Sequence, residues 1–585
     1  MSYFDDASLV MIPSGYKDQK VYSVKPIDGS GDLTFTRSND TATRVGPDGL
    51  IEKVRTNVLT YSNDTNNADW SRVGATSTSG QSGYDGSSDA WLFSATGGGS
   101  HYALQSKTDT GILTFSIYAK QGTSKGIRIA INGGGDHWAN FNLDLGTQIG
   151  TAASVIDTEI TSVGGGWYRI SVTANKTTTF GWGVVYILDS SFATAFTAAG
   201  ETIYIQDAQL ESGDIATDYI ATTTAAVSVG PVANLPRLDY LGSSCPRLLL
   251  EPQRTNSLTY SEQFDNAAWT KAADVTLAAN YGTSPDGYQN ADRVVATAAT
   301  GGHIVFRAIS TTGTHTISIF AKASGYNYTF LGYDGGNLNY GIVFNLSNGT
   351  ISQNPAGLTG TIEAVGSDGW YRCTLTYNYA TAAYFVVAPH DNSGAYNWTG
   401  NGTDGILIWG AQAEFNSAYA SSYVNTLGAA VTRGADDCIK TGIPSLVSTT
   451  GTLFIDFVWN GVSDVVADNQ IFGQDPQYYG TTNISISNYG GNLYGRITDG
   501  LTLIVNLNAS VLLAAGVRYK VAFAFQDDDI VLYVNGTLRG LATSGTIPAT
   551  SSVYFNNNHP NNKSVNQALV FKTRLSNADL AALTA

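Results

Sequence analysis

Basic charge is in short supply in this 585-residue sequence: 31 Lys and Arg stand against 47 Asp and Glu, a formal net charge of −16. That balance repels nucleic acid and anionic bilayers, so neither is an expected partner. Cysteine is scarce as well. Cys245, Cys373 and Cys438 are too few for a disulfide framework and show neither CxxC spacing nor a Cys/His grouping for zinc. No apolar run reaches the roughly 20 residues a membrane-spanning helix needs, so no membrane insertion is expected. The opening "MSYFDDASLVMIPSGYKDQK" places acids before a short apolar run and lacks the basic n-region and long h-region of a Sec signal. Catalytic signatures are missing too: there is no G-x-S-x-G elbow, HExxH, P-loop or GxGxxG, and the six His residues are scattered. The expectation is therefore a protein that is not an enzyme and requires no cofactor. A polysaccharide depolymerase would cut with paired carboxylates, commonly on a β-helix; no β-helix repeat is seen, and sequence alone does not pair two of the Asp and Glu residues.

What remains is β-rich and turn-rich: 43% hydrophobic and only 13% charged residues, with 33 Tyr and 64 Gly. At about 150 residues per domain the length implies three or four domains. Internal repetition divides them. "RTNVLTYSNDTNNADWSR" at 55–72 returns as "RTNSLTYSEQFDNAAWTK" at 254–271. "TFSIYAKQG" (114–122), "GGGWYRISVT" (164–173) and "IYIQDAQLES" (203–212) return in the same order as "TISIFAKAS" (316–324), "SDGWYRCTLT" (367–376) and "ILIWGAQAEF" (406–415). Collinear blocks at a nearly constant offset mean two copies of one domain. In "TFSIYAK" the residues Phe115, Ile117 and Ala119 share one face, as Ile317, Ile319 and Ala321 do in the second copy, which is the period of a half-buried strand. Such strands, separated by Gly, Asn and Asp turns, predict antiparallel two-sheet sandwiches of the jelly-roll kind.

Beyond residue 440 the pattern changes. Strands are expected in "GTLFIDFVWN", "NISISNYGGNLYGRI", "VRYKVAFAFQDDDIVLYVNGTLRG" and "NQALVFKTRL", with a type I′ hairpin at Asn535-Gly536. "LSNADLAAL" reads as a closing helix with Ser576 as N-cap, placed to cap an open sandwich edge. The domain plan is an N-terminal extended, anchoring segment (1–50), a first jelly roll (51–221), a connector (222–250), a second jelly roll (251–440) and a third sandwich (441–585).

The stretches "SGDLTFTRSNDTATRVGPDGLIE" and "LPRLDYLGSSCPRLLLEPQRTNSLTYSEQF" resemble segments that recur in bacteriophage virion proteins of the fibre and tail type, where they lead into carbohydrate-binding-module-like jelly rolls. "VLYVNGTLRG" with the "LSNADLAAL" terminus resembles the laminin-G-like branch of the concanavalin A-like lectin fold. The resemblance implies a virion structural protein made in the host cytoplasm and carried on a surface appendage. It would be a homotrimer that contacts other virion proteins through its N-terminal segment and host cell-surface glycan through its lectin-like domains. A purely structural head decoration or fibre shaft, and a secreted polysaccharide hydrolase with accessory binding modules, are the alternatives.

Glycan recognition calls for aromatic rings that stack on sugar faces, with amides or carboxylates beside them to bond hydroxyls. "NGGGDHWANF" supplies Asp136, His137 and Trp138; "YDGGNLNYG" supplies Tyr333, Asn337, Asn339 and Tyr340; the polar loop "HDNSGAYNWTGNGTD" supplies Tyr396 and Trp398, which it is not expected to bury. Trp70, Trp167, Trp269 and Trp370 stand at equivalent places in both copies and are assigned to packing, while recognition is expected in loops where the copies differ. The resemblance to laminin-G-like domains also raises calcium, for which Asp527, Asp528 and Asp529, with Asn556 and Asn557, provide hard oxygen donors. As three consecutive residues at a strand end, the aspartates point to alternating sides.

Overall fold

The computed structural model describes residues 3–17, 19–309, 312–334, 337–379, 383–461, 469–475, 481–555 and 561–585. The chain is all-β, built as antiparallel two-sheet sandwiches with one closing helix, and it divides into two compact units: Val54–Gly230, and Met1–Lys53 together with Pro231–Ala585.

Val54–Gly230 is the first jelly roll. Its inner sheet runs in the order Val155–Gly164, Trp167–Lys176, Gly111–Gln121, Thr202–Ser212, Ala90–Ala95, Ala75–Gln81. Its outer sheet runs Thr147–Thr151, Asp136–Asn142, Gly126–Asn132, Trp182–Leu188, Tyr102–Ser106, Ser71–Val73. Phe115, Ile117 and Ala119 from the first sheet meet Ile129, Phe141 and Val185 from the second in one core. The strand Gly111–Gln121 was expected to be half-buried, yet its polar face is covered as well. The returning segment crosses it, so that Thr114 Oγ1 donates to Gly213 O at 3.0 Å and Gln209 and Glu211 bond Thr217. The second jelly roll, within the other unit, repeats both sheets strand for strand, with Gly313–Ser324 and Gly405–Phe415 central in one and Tyr328–Gly332 and Ala383–His390 central in the other.

The repeated opening motif fixes the incoming strand to each core. Asn57 Nδ2 donates to Ala208 O and Ile220 O, and Asn256 Nδ2 to Ala411 O and Val424 O, all at 2.9–3.1 Å. Tyr61 and Tyr260 turn the chain with φ of 47° and 57°, and their carbonyls accept the indole N–H of Trp70 (3.0 Å) and Trp269 (2.9 Å). Trp70, Trp167, Trp269 and Trp370 are all buried, so packing accounts for their repetition; truncating any of them to Ala would cost about 3–5 kcal/mol.

The third sandwich is discontinuous. The N-terminal segment and the connector, expected as extended pieces between domains, supply several of its strands. Leu9–Met11 pairs with Asn562–Phe571 (Leu9↔Val570), and Arg247–Leu250 pairs with the same strand further along (Leu248↔Val565). Leu33–Thr36 pairs with Asp437–Lys440 (Thr34↔Ile439). Leu9, Leu33, Phe35, Leu248 and Leu250 share one core with Ile455, Phe523 and Val570, because each short strand alone buries too little apolar surface to hold itself. The hairpin at Asn535-Gly536 forms with φ of 48° and 78°, as a type I′ turn requires. The helix Asn577–Thr584 starts at Ser576, whose Oγ accepts from Asp579 N at 3.2 Å. It lies on an outer sheet face rather than at an edge: Leu580 packs with Val10, Phe454, Ala522, Val531 and Leu569, since those residues make that face apolar and in need of cover.

Where the three stretches converge, Arg37, Arg237 and Arg433 surround Glu251 and Asp436, all essentially without solvent exposure. Arg37 Nη1 lies 3.2 Å from Asp436 Oδ1, Arg237 Nη1 2.7 Å from Glu251 Oε2 and Arg433 Nη1 2.9 Å from the same oxygen, while Arg237 Nη2 closes on Asp436 Oδ2. Burial pushes the Glu251 carboxyl up, but Arg433 and Arg237 outweigh it and hold it at about 2. A carboxyl depressed from 4.5 contributes stability that is full above that value and is lost as pH falls toward 2. We expect Glu251→Gln to destabilise the discontinuous unit by about 3–5 kcal/mol at pH 7, since it strands buried arginines. It should also flatten the loss of melting temperature between pH 4.5 and 2, read by calorimetry across that range; an unchanged acid limb would contradict the assignment.

Candidate functional site

Each jelly roll turns one face of its outer sheet away from the core, and the two copies equip that face differently. In the first, the strands Tyr102–Ser106, Gly126–Asn132, Asp136–Asn142 and Trp182–Leu188 alternate, so that Tyr102, Arg128, Trp138 and Tyr186 face outward. The Tyr102 and Tyr186 rings lie 4.9 Å apart, and the Arg128 guanidinium sits 4.0 Å from the Trp138 ring centroid while Nε donates to Asn140 Oδ1 at 2.7 Å. At one end of this face an open groove of about 380 Å³ runs between Asn132, Asp136, Phe180 and Trp182. Phe180 is 72% exposed and stands edge-on to Trp182 at 5.1 Å.

The glycine-rich stretch before Trp138 is less of a loop than its sequence suggests. Gly133 and Gly134, at φ of 148° and 81°, make the turn, and from Asp136 the chain is already strand. Alternation then separates the three expected residues. Asp136 is exposed on the groove rim, Trp138 is half-buried under Arg128, and His137 points inward, 6% exposed, with Nδ1 2.8 Å from Ser154 Oγ.

In the second jelly roll the outward positions are apolar: Phe330, Val343, Val386 and Ala388 form a floor with Phe306, Tyr328 and Tyr396 packed against it. Tyr396 stands edge-on to Phe330 at 5.7 Å and forms a wall shared by two grooves. One, about 510 Å³, is lined by Asn337, Asn339, Gln353, Asn354 and Tyr396. The other, about 470 Å³, is lined by Asp274, Phe306, Asp334, Tyr384 and Tyr396, with Phe306 and Tyr384 edge-on at 5.7 Å. Asn337 caps a short 3-10 turn by accepting from Asn339 N at 2.9 Å, which holds both amides at the groove.

Tyr333 and Tyr340 are not brought to these grooves. Tyr333 stacks on Tyr377 at 4.4 Å with Tyr340 edge-on at 5.6 Å, and Tyr333 N donates to Tyr340 O, so the pair packs at the base of the turn. Trp398 corrects the expectation of an exposed ring: it is 5% exposed, because Trp398–Thr399 pairs with Thr300–Gly301 and slides the indole against His303 (4.4 Å) and Tyr326 (4.9 Å). The three aspartates do not converge either. Asp527 Oδ1 accepts from Ile547 N, Asp528 Oδ1 from Gly545 N at the turn, and Asp529 pairs with Arg574 at 2.9 Å. Among the described residues no group of three His, Cys, Asp or Glu side chains is arranged to hold a metal ion; Asn556 and Asn557 lie outside the described residues.

Sequence reasoning missed Phe180, Trp182, Phe306 and Tyr384. Trp182 and Tyr384 occupy the same place in the two copies, at the start of Trp182–Leu188 and of Ala383–His390. In "WGVVYIL" and "YFVVAPH" the apolar run is nearly continuous, so no polar alternation marks which residues face outward.

No family model matches this sequence and no curated protein does. Solved structures with some similarity to it include the tandem CBM22-1–CBM22-2 domains of Xyn10C from Paenibacillus barcinonensis, at 9% identity over 61% of this chain and 97% of that one, with a TM-score of 0.21. The CBM40 of the Ruminococcus gnavus IT-sialidase, bound to α2,3 sialyllactose, is 17% identical over 24% of this chain and 84% of its own, TM-score 0.20. Domains LG4-5 of the mouse laminin α1 chain are 11% identical over 53% and 94%, TM-score 0.17. At these identities and scores none lends this chain a ligand or an activity.

The two aromatics of one loop divide by role. Trp398→Ala should lower the stability of its unit by about 3–5 kcal/mol, whereas Tyr396→Ala should change it by about 1 kcal/mol or less. Thermal unfolding of both variants measures this, and equal losses would show that Tyr396 is a packing residue.

Proposed function

We propose that this chain is a bacteriophage virion structural protein, a fibre or spike, whose jelly rolls bind host-surface polysaccharide. The observation that supports glycan binding is the outer sheet face of each jelly roll. Aromatic side chains line open grooves there (Phe180 and Trp182 in one copy, Tyr384 and Tyr396 in the other), with Asp136, Asn337, Asn339 and Asp334 at their rims. Sugars offer an apolar ring face and a fringe of hydroxyls, and this pairing of ring with amide or carboxylate matches both. The different equipment of the two faces suits two different saccharide units. The virion part rests on the resemblance of the N-terminal and connector segments to phage fibre and tail proteins. In this reading the chain is not catalytic, and several copies on one particle, as in a homotrimer, make up for weak single sites through avidity.

The test is binding of purified full-length protein, displayed multivalently, to host envelope polysaccharides. Trp182→Ala and Tyr384→Ala should each weaken binding about tenfold, the equivalent of about 1.4 kcal/mol, with melting temperatures held. Absence of binding at any multivalency would overturn the glycan reading; release of new reducing ends would overturn its non-catalytic part.

A further inference from the structure

The outer face of the first jelly roll carries a cation that the fold does not use up. Arg128 lies in one cross-strand row with Tyr102, Tyr186 and Asn140: Tyr102 pairs with Tyr186, Tyr186 with Arg128 and Arg128 with Asn140. Two contacts hold its guanidinium. Trp138 lies beneath it, with the ring centroid 4.0 Å from Cζ, and Nε donates to Asn140 Oδ1 at 2.7 Å. One face and the Nε side are thereby occupied, and the edge formed by Nη1 and Nη2 is left. Among the described residues neither Nη donates a hydrogen bond, and Arg128 forms no salt bridge.

Other arginines of the two jelly rolls direct that edge into the fold: Arg72 donates to Thr65 O, Arg169 to Thr217 O, Arg293 to Thr403 O and Arg307 to Thr259 O. The second copy shows that the sheet stands without the whole arrangement. At the matching register Phe330, Val343 and Gly341 replace Arg128, Asn140 and Trp138 together. Cation, clamp and platform are present as a set or absent as a set, which packing alone does not require. Beside Arg128 in its row the Tyr186 and Tyr102 rings lie 4.9 Å apart, and neither hydroxyl is bonded to a described residue. The acid on these strands, Asp136, stands at the far end of Asp136–Asn142 from Asn140, roughly 13 Å away along the strand.

We propose that Arg128 sets the specificity of this face and that its ligand is an acidic sugar unit, whose ring-borne carboxylate pairs with Nη1 and Nη2 while the sugar ring lies against Tyr186 and Tyr102. The proposal rests on the glycan reading above and narrows it, for the first jelly roll, to an anionic polysaccharide. With Trp138 covering one face and Asn140 holding Nε, a carboxylate meets the guanidinium in its plane, the approach that gives two parallel N–H···O bonds. The net charge of −16 works against indiscriminate binding of acidic polymers, so a fixed cation is what admits one at this place. Along Trp182–Leu188 the step from Tyr186 back to Trp182 is roughly 13 Å, so one oligosaccharide reaches both Arg128 and the groove at Phe180 and Trp182. Phe330 in the second copy offers a carboxylate no such partner.

The probes are oligosaccharides of galacturonate, mannuronate and guluronate, each beside its carboxyl-reduced counterpart, which keeps ring and linkage and loses only the charge, together with a poly(glycerol phosphate). Each is titrated into the full-length protein by calorimetry. The expected result is that a hexuronate binds about tenfold or more tighter than its reduced form. Arg128→Gln should abolish that difference, and Arg128→Lys, which keeps the charge but not the planar fork, should restore only part of it. Both variants should melt like the parent; the reduced sugars test the same pairing from the ligand side whether or not they do. Hexuronates that bind no better than their reduced forms, a preference that survives Arg128→Gln, full rescue by Arg128→Lys, or tighter binding of the poly(glycerol phosphate) than of any hexuronate would overturn the proposal. The wider glycan reading would still stand if host polysaccharide bound and Trp182→Ala or Tyr384→Ala weakened it; no binding of host polysaccharide at all would end both.

Discussion

Everything in the larger unit depends on one buried charge cluster. Arg37 comes from the N-terminal segment, Arg237 from the connector, Glu251 from the position that follows the strand Arg247–Leu250, and Arg433 and Asp436 from the chain leaving the second jelly roll. Taking five ions out of water is costly, and geometry has to repay the cost: Glu251 also accepts from Ser422 N at 2.7 Å, and Arg37 Nη2 donates to Pro231 O and Val232 O. Such a cluster adds little net stability over apolar packing, but it is unforgiving of misplacement. It fixes the two ends of the second jelly roll and two distant strand-bearing segments to one point, which lets a chain leave the third sandwich twice and return in register.

The tandem copies show which parts of a jelly roll are frame and which are free to vary. Frame is the asparagine that clamps two carbonyls, the left-handed tyrosine with its indole partner, and a buried histidine between backbone carbonyls, His101 near Gly74 O and Phe196 O, His303 near Asp274 O and Trp398 O. Variation falls on the outer sheet face. The position of Arg128 is taken by Phe330, and that of Tyr186 by Ala388. A core position is constrained from both sheets, whereas an outward side chain answers only to its neighbours on that face, as Phe330 does to Tyr396.

Repetition made the two jelly rolls legible, since collinear blocks define a domain without any homologue, and the period-two pattern of 114–120 correctly sent Phe115, Ile117 and Ala119 to the core. The discontinuous third sandwich was not legible. Leu9–Met11 is three residues long and pairs with a strand more than 550 positions away; nothing local distinguishes it from a connector. The candidate site was read in part. Asp136, Asn337, Asn339 and Tyr396 line grooves, but His137 and Trp398 are buried because strand alternation and a two-residue strand pairing, neither visible in a glycine- and asparagine-rich stretch, decide where those rings point. Phe180 and Trp182 went unnoticed because neither falls within a repeated block or a polar loop.

The central claim is that recognition belongs to the outward sheet faces rather than to the repeated motifs. A crystal structure of the full chain with a bound host oligosaccharide tests it most directly. The account predicts sugar rings stacked on Trp182 or on Tyr384 and Tyr396, with hydroxyls bonded by the neighbouring Asp and Asn side chains. Sugar bound solely on the third sandwich, with both jelly-roll faces vacant at saturating ligand, would contradict it.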